Sequence, residues 1–389
     1  IYMALYQAVT GGETYDDIYT EYSKDFFDLV IVDECHRGSA KSNSEWRKIL
    51  EYFEPAAQIG MTATPKETED VSNRYYFGDP VYEYTLKQGI NDGFLAPYRV
   101  VRVGFDRDLE GYRPEQGKQD RHGREIEDRE YTRSDFDREL VLSERTKRVA
   151  ESITEYLEET DPYSKTIVFC EDIEHAERMR QALVNENPER VDKDSRYVMR
   201  ITGDSDEGKR ELDNFIDPES RYPVIATTSQ MLSTGVDVQT CELIVLDRNI
   251  RSITNFKQII GRGTRIREDF DKVSFTIMDF RGVTRHFADP EFDGTPEQEY
   301  EPGPDDSPVP PDDEDASPDG ERPEDDLDDI SAGTDDGGTS RKYYVDDVEV
   351  EVVSERVKYY TPEGDLVTES LTDYTRRNVR EQFASLDDF

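Results

Sequence analysis

Short apolar runs alternate with amphipathic stretches along most of this chain. Residues 29–32 (L-V-I-V), 57–61, 165–170 (K-T-I-V-F-C), 197–202, 224–227, 242–247 and 275–280 are apolar runs rich in Val and Ile. They are too short for helices, and their mainly apolar character predicts parallel strands, with 29–32 and 165–170 buried in their sheets. Residues 45–53, 140–157, 172–184, 209–216 and 253–260 instead space apolar positions three and four apart, as Val149, Ile153 and Leu157 do, which predicts helices. Alternating strands and helices predict doubly wound α/β sheets. A strand at 1–6 and a strand and helix over 81–93 complete a first unit, and a strand at 98–105 leads out of it.

The same pattern sets the expected domain limits. Residues 1–96 form the first α/β unit and 97–139 a connector, whose stretch 106–135 is charged, contains Gly and has no apolar period, so it is expected to be exposed. Residues 140–287 form the second unit. Residues 288–340 are Pro, Gly, Asp and Glu with almost no large apolar side chains. Such a segment cannot bury enough surface to offset the entropy of ordering, so an acidic disordered linker is expected. In 341–389, Val alternates with Asp or Glu, a hairpin turns at Pro362-Glu363-Gly364, and a helical pattern runs from 371 to Phe389. The first residue is Ile rather than Met, and the last lies inside that helical pattern, so the chain reads as part of a longer protein.

Charge complicates the picture. The net charge is −42, and residues 289–336 hold 21 acidic residues against one arginine, Arg322. Proteins that grip DNA are normally basic, because phosphate contacts supply much of the affinity. Composition therefore argues against nucleic acid unless the acidity serves solvation. Dense surface carboxylates fit a high-salt cytoplasm, so a halophilic source is expected. Cys35, Cys170 and Cys241 are odd in number and far apart, and only four His occur, which excludes a disulfide framework and zinc spacing. No signal peptide and no apolar run of about 18 residues is present, so a cytoplasmic protein is expected.

The chemistry-bearing residues sit at the ends of the apolar runs. Leu29–Val32 leads into Asp33-Glu34-Cys35-His36. A carboxylate at a strand tip can hold Mg²⁺ on a nucleotide's phosphates, and its neighbour can orient or deprotonate the attacking water. Residues 57–61 end in Thr62-Ala63-Thr64. The strand at 224–227 is followed by Ser233-Thr234-Gly235-Val236-Asp237, and the helix at 253–260 by Gln258-Ile259-Ile260-Gly261-Arg262-Gly263-Thr264-Arg265. Arg262 and Arg265 are three apart, so on a helix they share a face. A guanidinium reaching a γ-phosphate stabilises transition-state charge and is worth roughly 10³ to 10⁵ in rate. Two consecutive units with polar strand tips suggest one nucleotide held jointly. Arg248, Arg251 and Lys257 are candidates for contact with a DNA backbone, or are ordinary solvated charges.

In this order, D-E-C-H, T-A-T, I-V-F-C, S-T-G-V-D and Q-I-I-G-R-G-T-R resemble motifs II to VI of superfamily-two helicases and translocases, over residues 1 to about 287. The resemblance implies two RecA-like lobes that use ATP and Mg²⁺. It implies that Asp33 and Glu34 bind Mg²⁺ and activate water, and that His36 couples the nucleotide to the second lobe. Thr62, Ala63 and Thr64 would link hydrolysis to motion, Gly235 and Asp237 would contact nucleotide, and Gln258, Arg262 and Arg265 would complete the site. A narrower resemblance rests on D-E-C-H-R-G-S-A, N-S-E-W-R, Q-I-G-M-T-A-T-P-K-E and the tail S-L-T-D-Y-T-R-R-N-V-R-E-Q-F-A-S-L-D-D-F. Together these look like the R (restriction and motor) subunit of type I restriction-modification enzymes. That resemblance implies an ATP-driven double-stranded DNA translocase that partners methyltransferase and specificity subunits. A free-standing repair helicase and a non-catalytic DNA-binding module are the alternatives.

Motif I is absent upstream of Asp33, so residues 1–389 alone are expected not to hydrolyse ATP at a motor's rate. Gly203-Asp-Ser-Asp-Glu-Gly208-Lys209-Arg210 mimics it, but its acidic loop would repel phosphates and Arg210 stands where a hydroxyl is needed. Asp79, Glu83 and Lys87 are scattered charges and make no nuclease constellation.

Overall fold

The computed structural model describes residues 1–9, 17–35, 45–62, 67–68, 71–72, 76–233, 236–250, 252–287, 289, 291–311, 342–353, 356–360 and 366–370. They form two compact units, Ile1–Tyr84 with Ser252–Gln258, and Thr85–Arg251 with Ile259–Phe389. The fold class is α/β, as expected.

In the first unit, Leu29–Val32 pairs in parallel with Ala57–Gly60, Val32 opposite Gly60. The helix Glu45–Tyr52 covers one face: Leu50 and the following Phe53 are buried, and the Gln58 amide donates to their carbonyls at 2.8 and 3.2 Å. The other face is open, with Leu29, Ile31 and Ile59 exposed, so this is not the buried strand that its apolar run predicts. The expected strand at the N-terminus is also not seen. Tyr6–Val9 is one helical turn, and Ile1, Met3 and Leu5 are exposed. A strand needs a partner's hydrogen-bond ladder, and none is present there among the described residues.

The second unit is built on a parallel sheet of seven strands, in the order Gln298–Tyr300, Tyr98–Arg102, Phe275–Asp279, Cys241–Asp247, Lys165–Cys170, Ile225–Thr228, Val198–Arg200. Its inner strands are buried along their length, which is why they read as continuous apolar runs. The helix Ser143–Glu159 lays Val149, Ala150, Ile153 and Leu157 into the core, and the Tyr156 hydroxyl reaches Thr276 Oγ1 at 2.8 Å. Gly208, in the false P-loop, has a packing role: a Cβ there would lie 2.3 Å from the Arg200 carbonyl oxygen. Ser205 accepts from the Gly208 amide at 2.9 Å and caps the helix Asp206–Ile216.

Four further expectations are corrected. Tyr98–Arg102 does not lead out of a sheet; it lies inside the second one, beside Phe275–Asp279. The charged stretch 106–135 is not an exposed connector, because Ile126 and Tyr131 are buried. Its charges are paired instead: Asp120 accepts from the His122 and Arg124 amides and from Arg124 Nε, each at 2.9 Å. The acidic segment starting at 288 is not disordered throughout. Gln298–Tyr300 forms the sheet's edge strand, and Arg102 Nη1 meets Glu299 Oε2 at 2.8 Å. Among residues 81–85 no strand is found, and the helix there is Leu86–Asn91, capped by Thr85. Residues 312–341 lie outside the described residues.

Beyond that gap, Tyr343–Val345 pairs in parallel with Leu140–Leu142, and Val352–Val353 pairs antiparallel with Gly104–Phe105. Arg356–Tyr360 and Leu366–Ser370 form an antiparallel pair, the hairpin expected from the sequence. The tail helix expected from 371 lies outside the described residues. No described helix is long and apolar enough to cross a membrane.

One buried ion network holds the second unit together at the carboxyl ends of its strands. The fully enclosed guanidinium of Arg145 binds Asp108 through two bonds of 2.9 and 3.0 Å and Asp247 at 2.8 Å. Arg281 binds Asp247 at 2.8 Å and Asp137 at 2.6 Å. Burial alone would raise the Asp137 carboxyl, but His175, Arg281 and Arg178 hold it well below the usual carboxylate range. Burial works against Asp247 too, and Arg145 and Arg281 overcome it.

Removing one partner of such a network strands buried charge, at a cost of about 3–5 kcal/mol. Arg145→Met is therefore expected to lower unfolding stability by that amount at pH 7, read by urea denaturation with circular dichroism. Because the folded carboxyls titrate below their unfolded values, the network's contribution is complete above about pH 4 and is lost as pH falls below it. The gap between wild type and Arg145→Met should narrow from pH 6 to pH 3; a gap that stays constant would contradict this account.

Candidate functional site

In the first unit the strand Leu29–Val32 delivers Asp33 and Glu34 to its carboxyl tip. Glu34 sits in the left-handed region at φ 50°, uncommon for a residue with a Cβ. The turn is tied down on both sides. Asp33 Oδ1 accepts from the Glu34 amide at 2.9 Å, and the Cys35 amide donates to the Met61 carbonyl at 3.0 Å. The Met61 amide in turn reaches the Val32 carbonyl at 2.8 Å. Thr62 follows directly, so Asp33, Glu34 and Thr62 lie at the tips of two adjacent parallel strands.

Close packing beneath the tip requires Gly60. A Cβ there would lie 2.8 Å from the Phe77 ring and 3.0 Å from Cys35 Sγ. Cys35 is buried, which pushes its thiol pKa up, with Glu34 and Asp33 adding to the effect. His36, Ala63 and Thr64 lie outside the described residues.

In the second unit the structure joins two segments far apart in sequence. Arg265 Nε meets Asp237 Oδ1 at 3.1 Å. Arg262 Nη1 donates to the Val236 carbonyl, and Arg267 Nη1 to Gln239 Oε1. Three successive arginines of one segment therefore rest on three groups of the other. Asp237 and Arg265 are both about half exposed, which leaves them open to a ligand.

The expected means of bringing the arginines together is corrected. The helix Ile253–Ile260 ends before Arg262, and the Arg262 amide closes a turn onto the Ile259 carbonyl at 3.0 Å. Arg265 lies in an extended stretch bridged to Leu95. The two share no helical face; their partners at 236 and 237 align them instead. The tight turn and the close Gly263–Phe275 approach end the helix, since a Cβ on Gly263 would lie 2.2 Å from that ring. Gln258 is half-buried on the helix, and Gly235 lies outside the described residues.

Arg248, a candidate for DNA contact, is buried and donates to the Ser229 carbonyl, so it does not serve as a surface charge. Arg251 lies outside the described residues, and Lys257 is half-exposed. Asp137, His175 and Asp247 bring one ligand-type atom each within 4.8 Å of one another. Arg145, Arg178 and Arg281 already bind these carboxylates, at 2.6 to 2.8 Å. Three guanidinium groups against Asp108, Asp137 and Asp247 leave no negative field to draw a cation. All three cysteines are free and buried.

Comparison with known proteins places these segments. Residues 1–67 match the family described as the res subunit of type III restriction enzymes, and residues 148–267 match the helicase conserved C-terminal domain. The chain is 54% identical over 408 aligned positions to the endonuclease subunit of the type I restriction enzyme EcoAI of Escherichia coli, covering 100% of this chain and 50% of that protein. It is 30% identical to the EcoKI endonuclease subunit of Escherichia coli strain K12, covering 65% of this chain and 24% of that one. The chain thus spans half the length of the first relative and about a quarter of the second. A solved fragment assigned as an HsdR subunit of a type I restriction enzyme from Vibrio vulnificus YJ016 is 46% identical, with a TM-score of 0.59 over 73% of this chain and 49% of that one. The chain thus carries superfamily-two helicase-type segments and is similar to the endonuclease (R) subunits of type I restriction enzymes.

Proposed function

We propose that this chain is part of the ATP-driven motor of a type I restriction enzyme, a translocase that moves on double-stranded DNA. The observation that carries the reading is the pinning of Arg262 and Arg265 onto Val236 and Asp237. Two exposed or half-exposed arginines held by separate acceptors are pre-set to meet developing negative charge, and such preorganisation is what stabilises a transition state.

In this reading Asp33 and Glu34 hold Mg²⁺ on ATP and orient the attacking water, with Thr62 at the neighbouring strand tip responding to the nucleotide's state. The donor set fits a hard cation, since both are carboxylates at an accessible turn. His36, Ala63, Thr64, Gly235 and Gln258 are assigned to the same site by motif alone. Mg²⁺ would neutralise phosphate charge; Glu34 takes or orients the water's proton; Arg262 and Arg265 stabilise charge on the γ-phosphoryl oxygens. Asp237 keeps Arg265 extended until the phosphate competes for it. The partners in this reading are duplex DNA and the methyltransferase and specificity subunits of a restriction-modification complex.

The test is ATP hydrolysis by the complete subunit with those partners and duplex DNA. Turnover should require both DNA and partners. Glu34→Gln should abolish it, and Arg265→Ala should lower kcat by roughly 10³. Full stimulation by DNA alone would instead favour a free-standing helicase, and no turnover in any mixture would favour a binding module. We also propose that the carboxylate surface is tuned to high salt. The thermal midpoint should rise steadily from dilute buffer to molar KCl; a midpoint already maximal in dilute buffer would refute this.

A further inference from the structure

The segment carrying Arg262 and Arg265 is held from behind by one buried lysine. Lys272 is 1% exposed, and its Nζ donates to the main-chain carbonyls of both Gly263 and Arg265. Between them the Thr264 carbonyl accepts from the Ala96 amide at 2.7 Å. Just beyond, Arg267 and Lys272 exchange main-chain bonds of 2.8 and 3.0 Å. Three successive carbonyls are therefore fixed, two of them by the same ammonium. Nζ also lies 5.5 Å from the centre of the Phe275 ring, the ring that Gly263 packs against.

A buried ammonium is costly, and desolvation pulls the Lys272 pKa down to about 8. A charge kept in such a place must satisfy groups that are worse left unmade. The two carbonyls meet that condition, because buried acceptors without donors cost the full desolvation of the group. An apolar side chain of equal length would fill the space and strand both. The main chain at 263 and 265 is the base from which the Arg265 side chain reaches Asp237.

We propose that Lys272 is a positioning residue for ATP hydrolysis: it fixes the main chain at Gly263 and Arg265 so that the Arg265 guanidinium is presented in its working pose. The proposal rests on the reading of Arg265 given above. Lys272 acts through Arg265 and touches no reacting atom. An arginine displaced by about 1 Å costs up to roughly 100-fold in rate, so the effect should appear in turnover rather than in nucleotide binding.

The experiment uses the complete subunit with its methyltransferase and specificity partners and duplex DNA. Lys272→Met should lower kcat for ATP about tenfold or more, with KM for ATP within about twofold. Lys272→Arg, which keeps a charged donor, should recover most of the rate. In an Arg265→Ala background Lys272→Met should cost no more than about twofold further, because both act through one guanidinium. A kcat within twofold of wild type, or an equal loss with and without Arg265, would overturn the proposal. If Lys272→Met does not fold, Lys272→Gln, whose shorter neutral side chain cannot reach both carbonyls as the ammonium does, takes its place, with kcat again expected to fall and KM for ATP to hold. Loss of the fold in both would make the lysine purely structural and overturn the proposal. Wild type without DNA-stimulated turnover would count against the motor reading itself, whereas an active wild type with an unimpaired Lys272→Met counts only against this inference.

Discussion

The Arg145 guanidinium is the interaction on which the second unit depends. It stands at the head of the helix Ser143–Glu159 and binds Asp108 from the charged stretch before it and Asp247 from a strand tip. Arg281, directly after another strand, shares Asp247 and adds Asp137. His175, on the next helix, faces Asp247 at 3.3 Å. Carboxyl ends of parallel strands are where open α/β sheets leave a crevice. Here part of that crevice is filled with paired charge, which fixes the strand ends and the preceding stretch as one piece. Such a network is a weak source of net stability compared with apolar packing, but it is intolerant of losing a member. Its contribution is to geometry, and the segments carrying Asp237 and Arg265 belong to the unit whose geometry it sets.

Much of this was legible in the sequence, for physical reasons that differ by element. Strands such as Lys165–Cys170 and Phe275–Asp279 are buried on both faces, so they need continuous apolar runs and announce themselves. Asp33, Glu34, Asp237, Arg262 and Arg265 could be singled out because they come after an apolar run or the helix Ile253–Ile260 in the sequence. What escaped was whatever is held by polar bonds. Gln298–Tyr300 is a three-residue edge strand with no apolar run, embedded in acidic sequence, yet Arg102 secures it. The stretch 106–135 buries Ile126 and Tyr131 at irregular spacing and closes its charges on one another, so neither periodicity nor composition reveals it.

Lys272 escaped for the same reason. In Asp271-Lys272-Val273 it looks like any solvated lysine, and only the fold shows its Nζ turned inward to two carbonyls. Arg248 differs the other way: the sequence left it as either a DNA-backbone contact or a solvated charge, and it is instead buried against the Ser229 carbonyl. For a cation, sequence gives the charge but not the acceptor, and the acceptor decides the role. The arginine pair illustrates this too, since their common orientation comes from Val236 and Asp237 rather than from helical spacing.

The distribution of cations also bears on how so acidic a chain could work on DNA. Many of its arginines have intramolecular partners, among them Arg102, Arg124, Arg129, Arg145, Arg178 and Arg281, each against a carboxylate. The net charge of −42 would repel a polyanion in dilute buffer. The two effects respond differently to salt. In molar salt the screening length falls to about 3 Å, so repulsion between solvated charges nearly vanishes, while pairs buried away from ions persist. An acidic surface therefore excludes DNA only where salt is low. At high salt the question becomes local, whether a few groups at the proposed site are correctly aimed, and in the inference drawn above Lys272 sets that aim through the main chain at Gly263 and Arg265.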